Sequence, residues 1–458
     1  VQNYPALKGQ QTNLFKCFLP LSWEKTNESG IAAFVHPEGV YDDPKGGALR
    51  EILYPRLRYH FQFANERKLF PEVDHHTQFS LNVYGGPLMV SFDTISNLYD
   101  AKSIVECYQG EASAPIPGIK DANGDWNIAG HPKRIIHVTK ETLQTIAKIF
   151  EGNDNWETVK LPPLHESTQL EVLETFANQR VRLDSSEIES ATTKMWDETN
   201  SQKNGILRAN IKFPEQLEES ISCGAYCGLA NPIFQTVRAS YKNNSDYDCV
   251  DLTAIAADYL PRSKYERACS SEDFIARIPP TPWGNKFNEN YMLAVREFVG
   301  TMSERTLTAC ILPPATSFIY TIFGTALSNN KMLALLCACE NSLPFDFLVK
   351  IIGKNHIGYG TVKLFPLLES ILTYKIILRG LLLNCITKYY APLWKECYNS
   401  FNSFESWSKS DPRLSPARFT SLTPEWTWDT PLRTDYERRQ ALVEIDVLTA
   451  MALGMTLQ

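Results

Sequence analysis

The chain has 458 residues, 43% hydrophobic and 21% charged, which is ordinary for a soluble protein and long enough for two or three domains. Its formal net charge is −7, so the total predicts no general affinity for phosphates. The cations are uneven, however: residues 331–420 hold 11 Lys and Arg against 6 Asp and Glu. A basic C-terminal region on an acidic body is typical of a protein that meets nucleic acid with one face.

The cysteines predict neither disulfides nor metal. Eleven are present, an odd number, and they are scattered, as in proteins of a reducing cytoplasm. Cys223 and Cys227 are four apart, and Cys337 and Cys339 two apart, but no second pair or histidine cluster follows at zinc-ligand spacing. We therefore expect no metal site and a cytoplasmic location.

No membrane span is expected either. The most apolar long segment, Leu364–Ile386, is interrupted by Glu369, Lys375 and Arg379, well short of the ~18 apolar residues that a span needs. It is predicted to be a long core helix with a charged outer stripe.

The N-terminal part alternates predicted helices and strands. Its short apolar run 31–36 has the length of a buried parallel strand, and residues 77–84 alternate as in a strand with one solvated face. The order indicates the second half of a doubly wound α/β domain, assigned to residues 1–90. The predicted elements are helix 13–23, strand 31–36, helix 48–57, strand 58–63 and strand 77–84.

Three features of this part resemble the later strands of S-adenosylmethionine-dependent adenine methyltransferases. They are the Pro-Glu-Gly-Val turn in His36–Val40, the Leu-Arg-Glu of Leu49–Glu51, and a Phe-Pro step followed by a hairpin strand in Phe70–Val83. The resemblance implies that Phe70 stacks against a flipped target adenine, since an extruded base needs a replacement for its stacking neighbours. The alternative is that Phe70 only closes the end of the sheet.

Two motifs of that family are missing from the sequence. We find no Gly-rich cofactor turn after a first strand and no Asn-Pro-Pro-aromatic tetrapeptide. The resemblance therefore implies that this chain alone has no cofactor-binding residues and does not methylate. S-adenosylmethionine would be bound by an upstream segment, the missing N-terminal methyltransferase half. The absence of an initiator Met also suggests a fragment.

The middle of the chain, residues 91–255, is predicted to be an insertion or spacer. Within 85–152 the sequence is polar and turn-rich, which is typical of a functional loop or of an insertion that covers a sheet. Helices are expected at 142–150 and 166–179.

Several further segments, taken in their joint order, resemble the methyltransferases of DISARM phage-defence systems. The likeness runs from about Asn13 to the C-terminus and closes with a helix over Arg438–Met455. The segments are Trp196–Asn200, Tyr259–Tyr265, Ile278–Gly284, Glu304–Leu307 and Leu312–Pro314.

The stretch Asn341–Leu368 predicts the specificity element. Its apolar spacing indicates a helix that ends at Gly353, followed by a Gly-punctuated polar loop and a return to the core. An Asn-Ser step, an aromatic-Asp-aromatic helix and a Gly-rich turn resemble the target recognition domains of type IIG restriction-modification enzymes and phage-defence methyltransferases. The alternative is a loop that only connects two core elements.

The resemblance places this loop on double-stranded DNA, within a mixed α+β recognition domain with C-terminal helices over residues 256–458. Asn suits adenine edges and Lys suits guanine or phosphate. For Arg305, a phosphate contact and a structural salt bridge both remain open. The expected DNA-binding residues are Lys350, Lys354, Asn355, His356, Tyr359, Lys363 and Arg305.

The sequence thus predicts the DNA-recognition portion of an adenine-N6 DNA methyltransferase in restriction-modification or phage defence. Its partners would be double-stranded DNA, the missing half and other defence-system proteins. The alternative is a non-catalytic, partner-binding relative. A hydrolase has no support, because no nucleophile elbow, His-x-x-x-His pair or phosphate loop occurs.

Overall fold

A mixed five-stranded sheet is the centre of the first of two structural units, Val1–Asn178 and Gln179–Gln458. The computed structural model describes residues 4–11, 13–184, 187–300, 304–353 and 356–456, without the side chains of residues 401 and 403. The strands of the first unit are β1 (Ala32–Pro37), β2 (Leu57–Ala64), β3 (Gln78–Tyr84), β4 (Ser91–Leu98) and β5 (Ile136–Thr139). Its helices are α1 (Leu14–Lys25), α2 (Gly39–Asp42), α3 (Gly47–Leu53), α4 (Lys102–Gln109), α5 (Lys140–Phe150) and α6 (Ser167–Ala177).

The strand order is β1-β3-β2-β4-β5. Both β1 and β2 run antiparallel to β3, so they are parallel to each other with β3 inserted between them. β2 is parallel to β4, and β4 is antiparallel to β5. The fold class is therefore mixed α/β, but the pairing differs from the parallel neighbours expected of a doubly wound sheet.

Strand β1 differs from the buried parallel strand that its apolar run predicted. It hydrogen-bonds only to β3 among the described residues, and Val35 is 56% exposed. The prediction of a buried strand was wrong because a fully buried strand and an apolar edge strand have the same composition.

In β3 the polar face, and not the apolar one, is the more deeply buried. Its alternation is confirmed, but the deeply buried positions are the polar Ser80 and Asn82, together with Tyr84. Tyr41 of α2 donates a hydrogen bond to the Asn82 Oδ1 (2.5 Å), and the His36 Nε2 lies 2.9 Å from the Tyr84 hydroxyl. Burial lowers the pKa of His36. This polar network holds α2 against the sheet.

The opposite face carries the apolar core. Phe61, Phe63 and Ile95 pack with Leu98 and Cys107, and Cys107 belongs to α4. The predicted insertion thus starts inside this core: β4, α4 and β5 all follow residue 90 and belong to the sheet or cover it. The irregular part of the expected loop is the segment between α4 and β5. Helices α5 and α6 are confirmed.

The second unit contains a four-stranded sheet of order β13-β12-β15-β6, antiparallel throughout. Its core cluster runs from Trp196 to Ala326 and crosses the predicted boundary at residue 255. The strands are β6 (Ser190–Thr193), β7 (Leu207–Lys212), β8 (Ile221–Ser222), β9 (Gln235–Val237), β10 (Tyr247–Cys249), β11 (Ser263–Arg267), β12 (Met292–Arg296), β13 (Ala309–Leu312), β14 (Ser317–Phe318) and β15 (Ile322–Leu327).

Helices α9, α12 and α14 pack on one another beside this sheet. Gly380 of α12 lies so close to α9 that a Cβ there would come within 2.8 Å of the Ala338 Cβ, so this helix pair requires glycine. The helices are α7 (Glu198–Lys203), α8 (Ser271–Ala276), α9 (Asn330–Glu340), α10 (Leu343–Ile352), α11 (Tyr359–Val362), α12 (Thr373–Asn384), α13 (Ala391–Cys397) and α14 (Asp435–Leu453).

The long helix expected over Leu364–Ile386 is shorter, since α12 begins only at Thr373. Within the described ranges no single helix has the length and apolarity to cross a membrane. By length and composition alone, the pair α9 and α10 passes that test together, with a 70° bend between them.

Candidate functional site

The carboxyl ends of β1 and β2 lie at the same edge of the first unit's sheet. Pro37 at the end of β1 and Phe63 near the end of β2 both pair with Phe79 at the start of β3. The loop from β2 to β3 and the segment that follows β1 both begin at this edge. In open α/β sheets, ligands bind beyond the carboxyl ends of parallel strands.

Phe70 lies in the loop between β2 and β3, with its ring 43% exposed. The ring packs edge-on against Phe79, with centroids 4.9 Å apart and an interplanar angle of 82°. The buried Asn65 fixes the backbone of Phe70 on both sides: its Oδ1 accepts from the Phe70 N–H and its Nδ2 donates to the Phe70 carbonyl, both at 2.9 Å. An exposed aromatic face on a fixed backbone is an arrangement that can stack on a base.

Replacing Asn65 with alanine is expected to loosen this loop. The change removes the two bonds to Phe70 and a third to the Val73 carbonyl (3.0 Å), and each buried bond contributes about 1 kcal/mol. Hydrogen exchange at residues 66–77 should accelerate, with a loss of about 2–3 kcal/mol of local stability. Asn127→Ala removes one exposed bond and serves as the control; equal exchange in both variants would contradict the role of Asn65.

A cavity of about 610 Å³ opens beside the end of β1. Lys16 of α1 reaches into its lining and bonds Asp43 at 2.7 Å, with the lysine nearly buried. That hydrogen bond lowers the pKa of Asp43. Gly39 and Pro37 complete the wall next to the strand, so the cavity offers paired charges within reach of the sheet edge.

In the second unit, α10 ends at Gly353 as predicted, in the left-handed conformation (φ 66°) that favours glycine. Lys354 and Asn355 fall outside the described residues. His356 has a side chain that is 57% exposed, and its Nδ1 lies 3.1 Å from the Glu297 carboxylate. The imidazole also packs against the exposed Phe298 ring at 4.7 Å.

Glu297 is the residue of this loop that sequence reasoning missed. Its carboxylate is 5% exposed, and Lys194 bonds the same oxygen, Oε1, at 2.6 Å. The other oxygen, Oε2, is buried without a hydrogen-bond partner among the described residues. His356 therefore contacts a carboxylate that Lys194 also binds, because Glu297 follows the end of β12 beside this loop. Nothing in the linear sequence connects position 297 with 356.

Two other predicted contacts remain accessible. Tyr359 opens α11 and is 49% exposed. Lys363 follows α11 and is half-buried. Both belong to the same return segment as His356, so the structure keeps these three within one stretch of the second unit.

Arg305 and Lys350 are instead occupied by carboxylates. Arg305 forms a bidentate pair with Asp446 (2.7 and 3.1 Å), and its side chain is 8% exposed. The structure thus selects the salt bridge over the phosphate contact. The Lys350 ammonium lies 3.0 Å from the buried Asp346 and donates to the Glu304 carbonyl. Both cations therefore have carboxylate partners within the second unit.

Several cations of the predicted basic region 331–420 have acidic partners. Six of them form ion pairs within the described part of the chain, and two of these pairs, with Asp258 and Glu437, use acids from outside the region. The pairs are Lys350 with Asp346, Lys375 and Arg379 with Glu405, Lys388 with Asp258, Arg413 with Asp411, and Arg418 with Glu437.

The motif residues of the Asn341 stretch have structural partners. Asn341 donates to the Ala309 carbonyl at 2.9 Å and accepts from the Ala230 N–H at 3.1 Å. Asp346, the acid between two aromatics, accepts from the backbone N–H groups of Thr306 and Leu307 at 2.6 and 2.7 Å. These side chains join separate segments of the chain through its interior.

The structural neighbours of this chain are restriction-modification enzymes. No protein-family model matches the sequence, and no curated protein matches it.

Two solved structures illustrate this similarity. The type IIG restriction endonuclease BpuSI is 12% identical with a TM-score of 0.29, covering 98% of this chain and 50% of that one. The type IIL restriction-modification enzyme MmeI, solved in complex with DNA, is 9% identical with a TM-score of 0.39, covering 100% and 52%. This chain spans about half the length of each, and TM-scores below 0.5 do not establish a shared fold.

Proposed function

We propose that this chain is the DNA-recognition portion of an S-adenosylmethionine-dependent adenine-N6 DNA methyltransferase of a restriction-modification or phage-defence system. The observation that carries the proposal is Phe70: an exposed ring, on a backbone fixed by Asn65, at the carboxyl edge of the sheet. A flipped adenine requires such a face, and the sequence resemblance assigns this ring to it.

The second unit would read the DNA sequence through the segment after α10. Its exposed imidazole, His356, and phenol, Tyr359, can reach base edges, and Lys363 can contact a phosphate. Lys354 and Asn355 stay in the proposal on the sequence resemblance alone. Arg305 and Lys350 are no longer included, because carboxylates hold them.

The exposed edge of the sheet is a place where the missing half of the methyltransferase domain, which would supply the cofactor, could pair. Strand β1 is an edge strand among the described residues, and an apolar edge usually pairs or is covered. Val35 on β1 and Leu14 and Phe18 one turn apart on α1 are 56%, 70% and 49% exposed. Further strands pairing with β1, on the same or another polypeptide, would bury these residues and bring S-adenosylmethionine, whose motifs this sequence lacks.

The same apolar edge favours a second candidate, a non-catalytic relative that binds a partner protein. The two differ in their need for DNA. Binding of the full chain to duplex DNA that weakens steeply with rising salt supports the first function. Absence of binding at low salt would overturn it and leave the partner-binding function.

Phe70→Ala is expected to weaken binding to a duplex that carries an unpaired 2-aminopurine, the fluorescent adenine analogue. Losing one aromatic stack costs about 1–3 kcal/mol, so Kd should rise about tenfold and the quenching of the stacked analogue should disappear. Fluorescence titration measures both, and an unpaired base lowers the cost of flipping.

Leu69→Ala is the matched control, since Leu69 is the preceding residue and equally exposed, at 42% against 43%. It should bind like the unchanged chain, and Phe70→Tyr, which keeps the ring, should retain quenching. Equal affinity and quenching for Phe70→Ala and the unchanged chain would remove Phe70 from the base pocket.

A further inference from the structure

Glu66 and the adjacent His75 and His76 face one another across the loop that joins β2 to β3. The His75 Nδ1 lies 3.0 Å from Glu66 Oε2, and the His76 Nδ1 lies 3.2 Å from Glu66 Oε1. One donor atom from each of the three side chains lies within 4.8 Å of the others. A single carboxylate is thus shared by two imidazoles.

Backbone hydrogen bonds hold the loop that carries these side chains. Glu66 follows the buried Asn65, whose N–H donates to the Thr77 carbonyl at 3.0 Å and so joins the two ends of the loop. The His76 N–H donates to the Asp74 Oδ1 at 2.9 Å, which fixes the histidine side. The three side chains therefore lie on a loop whose backbone is held at both ends.

The donor spacing fits a transition-metal ion. Zinc takes nitrogen and oxygen ligands at about 2.0–2.2 Å, so two donors of a tetrahedral site lie roughly 3.3–3.5 Å apart. His75 and His76 approach different oxygens of Glu66, at 3.0 and 3.2 Å, and one donor atom from each of the three side chains lies within 4.8 Å of the others, so a small movement of the side chains would reach this separation. Imidazole suits zinc, copper and nickel, and an oxygen ligand completes mixed sets.

The ring nitrogens that face Glu66 are suited to metal binding. An ion would replace the Nδ1 protons and use the same two ring nitrogens. The Nε2 atoms would carry the remaining protons and point toward solvent, since His76 is 72% and His75 44% exposed.

We propose that Glu66, His75 and His76 bind one divalent transition-metal ion of the zinc class, with water at the open position. The ion would join the two ends of the loop that carries Phe70. This inference does not depend on DNA binding or methylation. It also differs from the expectation, drawn from the sequence, that no metal site is present. That expectation rested on four-ligand cysteine and histidine spacings and did not consider a His-His pair nine residues after an acid.

Cobalt titration of the full chain is the test. One equivalent of Co²⁺ should bind with visible absorption bands of a nitrogen and oxygen site, without a thiolate charge-transfer band, and Zn²⁺ should displace it. The His75→Ala, His76→Ala double variant should lose this signal. Glu66→Gln should weaken binding by roughly 100-fold, because even a supporting partner of a ligand contributes 10–100-fold.

His137→Ala is the matched control. His137 also bonds a carboxylate through Nδ1, that of Asp93 at 2.9 Å, and is 58% exposed. Its loss should leave Co²⁺ binding unchanged, and circular dichroism should show all variants folded. The proposal is overturned if the unchanged chain binds no Co²⁺, if the double variant binds equally well, or if a thiolate band assigns the ion to cysteine, for which the exposed Cys249 is available.

Discussion

Replacing Arg305 with methionine is expected to lower the free energy of unfolding of the second unit by about 3–5 kcal/mol. The change leaves Asp446 buried, with its carboxylate 11% exposed, and without its bidentate cation. Asp446 also accepts from the Leu343 N–H at 2.8 Å, at the start of α10. Urea denaturation followed by hydrogen exchange of peptides from 179–458 measures the loss in this unit.

The chain offers a control that joins the same two segments. Glu304, the preceding residue, pairs with Arg439 of α14 at 2.8 Å, but both side chains are exposed, at 69% and 56%. Arg439→Met should therefore lower the free energy of unfolding far less than Arg305→Met, because solvent screens an exposed pair. In the Arg305→Met, Asp446→Asn double variant, the free energy of unfolding should fall by less than the sum of the falls in the two single variants. Equal losses for Arg305→Met and Arg439→Met would contradict the buried coupling.

Replacing Arg379 with methionine is expected to have an effect of similar size, about 3–5 kcal/mol. Its guanidinium bonds Glu444 at 2.6 Å and Glu405 at 3.1 Å, and all three side chains are 5% exposed. Without Arg379, two buried carboxylates keep only partial compensation, chiefly from Lys375 beside Glu405. The same denaturation experiment measures the loss.

The pH dependence of the Arg379 variant follows from these carboxylates. Burial acts to raise the pKa values of Glu405 and Glu444, but Arg379 and other donors outweigh it and hold both pKa values below the ordinary value. In the unchanged chain this stability is complete above pH ~4.3, the ordinary glutamate pKa, and is lost as the pH falls through the lowered values. In the variant both carboxyls protonate more readily. The difference in free energy of unfolding between the variant and the unchanged chain should therefore narrow as the pH falls toward about 4.

Arg413→Met is the control for this second prediction. Arg413 makes a bidentate pair with Asp411 (both bonds 2.9 Å) but is 64% exposed. Its replacement should change the free energy of unfolding far less than that of Arg379, because solvent screens an exposed pair, and this small change should vary little in the acid range. A pH-independent deficit for the Arg379 variant would show that lost packing, and not the two carboxylates, causes the destabilisation.

These predictions give a physical meaning to motifs on which the sequence resemblance relies. Three motif residues make buried polar contacts. They are Arg305 of the Glu304–Leu307 motif, Asp346 of the aromatic-Asp-aromatic helix, and Asp446 of the closing helix. Such contacts join segments far apart in the chain. These motif residues therefore belong to the interior of the second unit, whereas His356 and Tyr359, which we propose as DNA contacts, are exposed.

Local patterns determined much of this protein without a structure. The apolar spacing of α1, α5 and α14 placed these helices, Gly353 placed the end of α10, and alternation placed β3. These features depend on residues close in sequence, where period and capping act directly.

Only the tertiary structure decided which side chains meet. It inserted β3 between β1 and β2, brought Glu66 to His75 and His76, set Glu297 beside His356, and gave Arg305 to Asp446. Pairing of strands and of charges depends on long-range packing, and a charged residue reads the same in sequence whether it faces DNA or a buried carboxylate. The physical reason is that burial and partner choice are properties of the folded chain as a whole.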